Sequence, residues 1–182
     1  TIIGGNAKIF GNAAQTAGGV YVSGGTLTLE DSAKVTGNTA TNYRNGIFVS
    51  AAGTLRVSGS VQVTENLYNG IGSNVYLEAN GSSVNPISVV GALDDSASIG
   101  VSVADTVLKS INDYHFVTIA AADTEGWIKN GSFISEHNNT YAMIVSDDGK
   151  TAQLGTHPLQ WTYRVKGTAI MAECSNPDCA AG

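Results

Sequence analysis

Residues 6–12 read NAKIFGN, and nearly the same heptad returns as SAKVTGN at residues 32–38 and as SVQVTEN at residues 60–66. The three copies start 26 and 28 residues apart. A fixed period in this range is typical of a solenoid, in which each repeat forms one coil and stacks on its neighbours. This heptad therefore decides the fold class before any single residue is considered.

Two further motifs repeat at similar spacing, so that each repeat carries three short apolar stretches. They are GVYVS at 19–23 with GIFVS at 46–50 and NVYLE at 74–78, and GTLTL at 25–29 with GTLRV at 53–57 and, more loosely, NPISV at 85–89. Apolar and polar residues alternate within the stretches, which is the pattern of a strand with one buried face. Three strands in about 27 residues predict an all-β fold, the right-handed parallel β-helix, with equivalent strands stacked roughly 4.8 Å apart. A leucine-rich-repeat horseshoe has units of similar length, but its leucine and asparagine consensus is absent.

The asparagine that ends each heptad falls at one position of the repeat. These residues are Asn12, Asn38 and Asn66. Asparagine tolerates left-handed backbone angles, and stacked asparagine amides hydrogen-bond from layer to layer. We expect a structural ladder along one corner of the coils; the simpler alternative is that the three residues are ordinary turn formers.

One aromatic side chain also recurs in every repeat, at Tyr21, Phe48 and Tyr76. The residues on either side are aliphatic and are expected to point into the core, so the aromatic rings are expected to face outward as a column. An exposed column of this kind is a candidate site for stacking on sugar rings. The alternative is that the rings pack beneath a neighbouring loop, and for the column itself we favour this packing.

The repeat loosens near residue 92, which divides the chain into three parts. Residues 1–92 are predicted to be β-helix coils, and residues 93–155 either further coils or a β-rich cap over the open end. Asp148-Gly149 lies between two alternating runs and predicts a hairpin. A short helix is weakly indicated within residues 105–112. Residues 156–182 are predicted to form a hairpin and a cysteine loop that begin a following module.

Composition excludes several classes of partner. The net charge is −6, with 9 basic residues and no basic stripe, which argues against nucleic acid and against a basic membrane-binding surface. No run of 18 apolar residues exists, so no membrane insertion is expected. The sequence opens in mid-pattern and carries no sorting signal, so we expect a monomeric piece of a longer protein.

The two cysteines of the chain, Cys174 and Cys179, enclose four residues that include Asn-Pro. A local disulfide suits this spacing in an extracellular protein. A zinc half-site is a sharper alternative, although the spacing departs from C-x2-C and no further ligands are nearby. Free thiols are the third possibility. The three histidines lie in separate segments, and no metal or cofactor is expected.

The runs at residues 18–29 and 33–40 resemble repeats of large adhesin-like surface proteins of gut Gram-positive bacteria, which contain right-handed β-helices of the pectate-lyase-like type. Residues 97–103 and the closing 161–179 resemble the segments between modules of the same proteins. The resemblance implies a secreted, cell-wall-attached location and a role in adhesion or carbohydrate binding, with a host or dietary glycan or a surface protein as partner. It brings no functional residues with it.

Catalysis and three non-catalytic functions remain in competition. Many parallel β-helices cleave acidic polysaccharides, but the acids within residues 5–90 do not align at one repeat position as a lyase or hydrolase groove requires. We therefore expect a chain that is not an enzyme. Adhesion or glycan contact, with the aromatic column as the candidate site, is the leading expectation, and a rigid spacer is the alternative. A flat threonine array that binds ice is a distant third, because the threonine rows are short and interrupted by Arg56.

Overall fold

The computed structural model describes residues 1–43, 46–112, 115–137 and 140–156, together with the backbone of two strands at 161–166 and 169–174. Within these residues the chain forms about four turns of a parallel β-solenoid, and the predicted all-β fold is confirmed. Lys8 pairs with Lys34 and Lys34 pairs with Gln62, so the coils have the period seen in the sequence.

One face of the solenoid is a seven-stranded sheet. Its strands, in spatial order, are β1 (Ile2–Ile3), β5 (Gly25–Leu29), β9 (Gly53–Gly59), β16 (Ile87–Leu93), β18 (Val117–Ala122), β21 (Thr151–Thr156) and β20 (Tyr141–Val145). The pairs from β1 to β18 are parallel, as stacked coils require. The last two strands are antiparallel to their neighbours and form the hairpin predicted around Asp148-Gly149.

A second set of strands forms two adjoining faces that share one long strand. These strands are β2 (Lys8–Phe10), β6 (Lys34–Thr36), β10 (Gln62–Thr64), β17 (Ser98–Val103), β13 (Val75–Leu77), β8 (Ile47–Val49), β4 (Val20–Val22) and β19 (Phe133–Ser135). The first half of β17 pairs with β10 and its second half pairs with β13. The fourth coil thus runs straight where earlier coils turn.

The corner that β17 omits is occupied in the earlier coils by a small third sheet. It contains β3 (Ala13–Thr16), β7 (Thr39–Tyr43), β11 (Leu67–Tyr68) and β12 (Ile71–Gly72). Each of the first three coils turns into this sheet directly after its asparagine. Counted in the register of Gln62 and Ser98, the fourth coil has Ser102 where the third has Asn66, and the strand continues.

The remaining elements are short. They are the hairpin of β14 (Ala79–Asn80) and β15 (Ser83–Val84), the helix α1 (Asp105–Leu108), and the antiparallel pair β22 (Trp161–Lys166) and β23 (Ala169–Cys174). The helix lies within the segment in which one was predicted and is a single turn. Its N-cap, Ala104, has no side chain that can accept a hydrogen bond from the first turn.

The core consists of inward rows of aliphatic side chains stacked from coil to coil. Leu27 and Leu55 form one row, and Val35, Val63 and Ile99 form another. All five are 0–3% exposed. The inward orientation predicted for the aliphatic neighbours of the aromatic column is also confirmed, because Ile47, Val49, Val75 and Leu77 belong to this core. Among the described residues, no helix is long and apolar enough to cross a bilayer.

Candidate functional site

The three repeated asparagines lie along one corner and are joined by side-chain hydrogen bonds. The Nδ2 of Asn12 donates to the Oδ1 of Asn38 at 2.9 Å, and the Nδ2 of Asn38 donates to the Oδ1 of Asn66 at 2.8 Å. Each acceptor oxygen also receives the backbone N–H of the preceding asparagine, at 3.1 and 3.0 Å. Asn38 and Asn66 are completely buried, whereas Asn12 is exposed. The row is therefore a continuous polar line at the edge of an apolar core.

The ladder continues beyond the residues that the heptad pattern identifies. Asn66 donates its N–H and its Nδ2 to the Oδ1 of Asn74, both at 2.9 Å. Asn74 donates its own N–H and Nδ2 to the two carboxylate oxygens of Glu136, at 2.9 and 2.5 Å. Every amide in the line donates in the same direction, and the line ends on a group that accepts two hydrogen bonds.

A row of small residues makes room for this ladder. Gly19, Gly46, Asn74 and Gly100 are equivalent in the strand register. A methyl group at Gly46 would lie 2.7 Å from the Nδ2 of Asn66, and one at Gly100 would lie 2.6 Å from the Nδ2 of Asn74. Asn74 occupies the glycine position of its own coil because the fourth coil brings no ladder asparagine to fill that space. The change from glycine to asparagine at this position was the sequence signal that could have identified Asn74.

Glu136 is the acidic side chain whose environment is most affected by the ladder. Burial raises the pKa of its carboxyl group above the ordinary value, and the hydrogen bonds from Asn74 oppose that shift. The neighbouring His137 accepts the backbone N–H of Val103 at its Nε2, at 2.8 Å. These two side chains therefore attach the segment after β19 to the third and fourth coils.

The aromatic column is present, and its three rings differ in exposure to solvent. The ring of Tyr21 meets Phe48 edge-on with centroids 5.0 Å apart, and Phe48 lies 5.3 Å from Tyr76 at an interplanar angle of 37°. Tyr21 is 56% exposed, whereas Phe48 and Tyr76 are only 6% and 8% exposed. Phe48 and Tyr76 form a small cluster apart from the main core and are covered there.

Phe48 and Tyr76 are covered on the outside of the coil by short side chains from two other segments. Ala17, from the corner between β3 and β4, and Ala104, which precedes α1, pack against them. Packing beneath neighbouring segments, the alternative noted from the sequence, describes these two rings. Of the three rings, only Tyr21, at the edge of the column, presents an aromatic surface to solvent.

Several carboxylates of the coils connect one coil to the preceding one. Asp31 accepts the N–H of Gly5 at 2.8 Å, and Glu78 accepts the N–H of Ala51 at 2.9 Å. Asp94 accepts the hydroxyl of Ser60 at 2.6 Å. Asp95 forms an exposed ion pair with Lys129 at 2.7 Å, and that partner lowers the pKa of the Asp95 carboxyl group. These acids act as hydrogen-bond acceptors and ion-pair partners at the corners of the solenoid.

Two lysines of the first coils are stacked, whereas the described acidic, histidine and cysteine side chains do not gather into a metal site. Lys8 and Lys34 are paired neighbours on the outer surface of β2 and β6, and both retain solvent contact. Among the described residues, no group of three or more histidine, cysteine, aspartate or glutamate side chains is placed to hold a metal ion. Cys174 is the last residue of β23, and its predicted partner Cys179 lies outside the described residues, as does His157.

Comparison with known proteins identifies no relative of the chain. No protein-family model matches the sequence, and no curated protein or solved structure is significantly similar to it. The chain is a parallel β-solenoid, and its resemblance to adhesin-like surface proteins remains a hypothesis.

Proposed function

We propose that this chain is a non-catalytic segment of an extracellular, cell-wall-attached bacterial surface protein, and that it takes part in adhesion by contacting a glycan. The observation that carries the glycan contact is Tyr21, an exposed aromatic ring that rests edge-on against the buried Phe48. A ring held in this way offers a flat apolar surface without losing further side-chain freedom when a sugar stacks on it.

Two observations support a role without catalysis. Polysaccharide hydrolysis needs a pair of carboxyl groups that flank a bound sugar. Here Asp31, Glu78 and Asp94 accept hydrogen bonds from the neighbouring coil, and Glu136 accepts both of its bonds from the ladder. These acids are thus engaged in holding the solenoid together.

A rigid spacer is the second candidate, and the burial of Phe48 and Tyr76 favours it. With these rings covered, the column offers one exposed ring in place of three. The buried amide ladder and the stacked aliphatic rows make each coil fit its neighbours closely, as a stiff support requires.

A glycan array that contains mucin and plant cell-wall fragments, probed with the 182-residue chain, separates the candidates. Binding that is lost in Tyr21→Ala and kept in Ile134→Ala, a change at another exposed apolar side chain, supports glycan contact through the column. A blank array supports the spacer. Release of unsaturated product from polygalacturonate, followed by ultraviolet absorbance, would refute the non-catalytic assignment.

A further inference from the structure

Another exposed aromatic ring lies in a cleft far along the chain from the column. The cleft has a volume of about 280 Å³ and separates the hairpin of β14 and β15 from the start of β18. We call it the Phe116 cleft. Its lining includes Ser82, Ser83, Pro86, His115, Phe116 and Thr118.

The ring of Phe116 occupies the space left by the missing side chain of a glycine on the neighbouring strand. Val117 pairs with Leu154, which places Phe116 across from Gly155 on β21. A methyl group at Gly155 would collide with the ring of Phe116 and would lie 3.1 Å from the Cδ1 of Ile144. One side of the ring therefore rests on the bare backbone at Gly155, and 39% of the residue remains exposed. The ring is a pre-positioned platform, which reduces the entropy cost of stacking on it.

The opposite wall of the cleft supplies hydrogen-bonding groups on an ordered backbone. The hydroxyl of Ser83 donates to the carbonyl of Asn80 at 3.0 Å, which braces the turn of the hairpin. The carbonyl of Ser82 receives the hydroxyl of Ser110 at 3.1 Å, which ties the same turn to the segment after α1. The side chains of Ser82 and His115 are exposed at the rim, and hydroxyl and imidazole groups can both hydrogen-bond to a ligand.

The chemistry of the lining restricts the class of ligand. Among the described residues that line the cleft, none carries a carboxylate, an ammonium or a guanidinium group, so the cleft is suited to a neutral ligand. An aromatic face beside hydroxyl groups and an imidazole matches a molecule with one apolar face and a hydroxyl-rich edge. Pockets for drug-sized molecules measure about 300–1,000 Å³, so this smaller cleft has room for a single ring.

From these features we infer that the Phe116 cleft binds one neutral pyranose unit of a glycan, with Phe116 stacking on the sugar ring and Ser82, Ser83 and His115 facing its hydroxyl groups. The inference rests on the proposed glycan contact and gives it a second location, independent of Tyr21. It assigns the cleft no catalytic role.

The test is a titration of the full chain with a panel of neutral methyl pyranosides, followed by amide chemical shifts in ¹⁵N-labelled protein. Hexoses, pentoses and N-acetylhexosamines are each taken to about 20 mM, which reveals dissociation constants in the millimolar range. The expected result is a saturable shift at the amides of residues 82–86 and 115–118. Phe116→Leu, which keeps an apolar cover over Gly155, is expected to weaken binding at the cleft at least tenfold. Ile134→Ala, at another exposed apolar side chain, is expected to leave it unchanged.

The outcomes separate this inference from the proposed function. Saturable shifts confined to the surroundings of Tyr21, or binding that Phe116→Leu leaves intact, would overturn the cleft assignment while glycan contact survives. No saturable shift with any sugar of the panel would also overturn it, and glycan contact would then depend on the array alone. Gly155→Ala is a second variant that displaces the ring from the opposite side, and it must reduce binding if the platform is responsible.

Discussion

Replacing Asn66 with alanine is expected to destabilise the solenoid more than any other single change in the ladder. Its side chain is completely buried. Its Oδ1 accepts the N–H and Nδ2 of Asn38, and its Nδ2 donates to the carbonyls of Val35 and Thr64 and to the Oδ1 of Asn74. Alanine removes all of these hydrogen bonds, and because the position is completely buried, water cannot replace them.

The magnitude follows from which partners lose their hydrogen bonds. The N–H of Asn38 loses the acceptor that Asn66 supplied, whereas the Nδ2 of Asn38 still donates to the carbonyls of Ile9 and Thr36. The Oδ1 of Asn74 likewise keeps the backbone N–H of residue 66 as a donor. With one or two buried groups left unsatisfied and a small cavity added, the free energy of unfolding should fall by about 3–5 kcal/mol.

Asn12→Ala is the matched control, because it makes the same chemical change at an exposed position. The side chain of Asn12 donates one hydrogen bond, to Asn38, and solvent can replace it. Its loss should cost about 0.5–1.5 kcal/mol. Urea unfolding of the wild type and both variants, followed by far-ultraviolet circular dichroism, gives the two differences. If the loss for Asn66→Ala is within about 1 kcal/mol of the loss for Asn12→Ala, the argument that the buried ladder stabilises the corner is refuted.

Three further changes test other parts of the structure. Burial raises the pKa of the Glu136 carboxyl group in the folded state. The stability that this group contributes is therefore complete below its ordinary pKa of 4.5, and it is lost as the pH rises through the higher pKa of the folded state. The stability of the wild type relative to Glu136→Gln should therefore decline with rising pH, and a flat or rising difference in urea unfolding would contradict this. Gly100→Ala places a methyl group 2.8 Å from the Glu136 Oε1 and should cost about 1–3 kcal/mol; Gly24→Ala, with no atom within 4 Å, should be close to neutral in the same assay. Phe48→Ala should cost about 3–5 kcal/mol and Tyr21→Ala less than about 1 kcal/mol, and equal losses in thermal unfolding would show that burial does not distinguish the two rings.

The coils could be predicted from the sequence because their contacts are periodic. Asn12 bonds to Asn38 and Asn38 bonds to Asn66, each one coil later, at separations of 26 and 28 residues. A repeat in the sequence therefore states directly which residues are neighbours in space. The aliphatic rows follow from the same spacing combined with alternation along each strand.

Contacts that break the period could not be predicted in this way. Glu136 meets Asn74 across 62 residues, and no repeat relates the two positions. The exposure of Phe48 is decided by Ala17 and Ala104, which belong to a corner and to a segment beyond the regular coils. The Phe116 cleft likewise depends on Gly155 in an antiparallel strand. Such features arise where the solenoid departs from its own repeat, so the spacing of the repeat does not reveal them.

The stacking of coils also determines how the molecule would lengthen under a pulling force. Coil-to-coil pairing at successive strands advances the folded molecule by only about 4.8 Å per coil, although each of the earlier coils contains 26 to 28 residues. Drawn out to an extended chain, one coil would span roughly 90 Å. Hydrogen bonds between coils run along the axis of the solenoid, so a pull along that axis loads them directly and the coils detach from their neighbours in sequence. Under such a pull the molecule would extend in discrete steps. In each step a coil that occupied about 4.8 Å along the axis becomes an extended segment of roughly 90 Å, which is nearly twenty times as long.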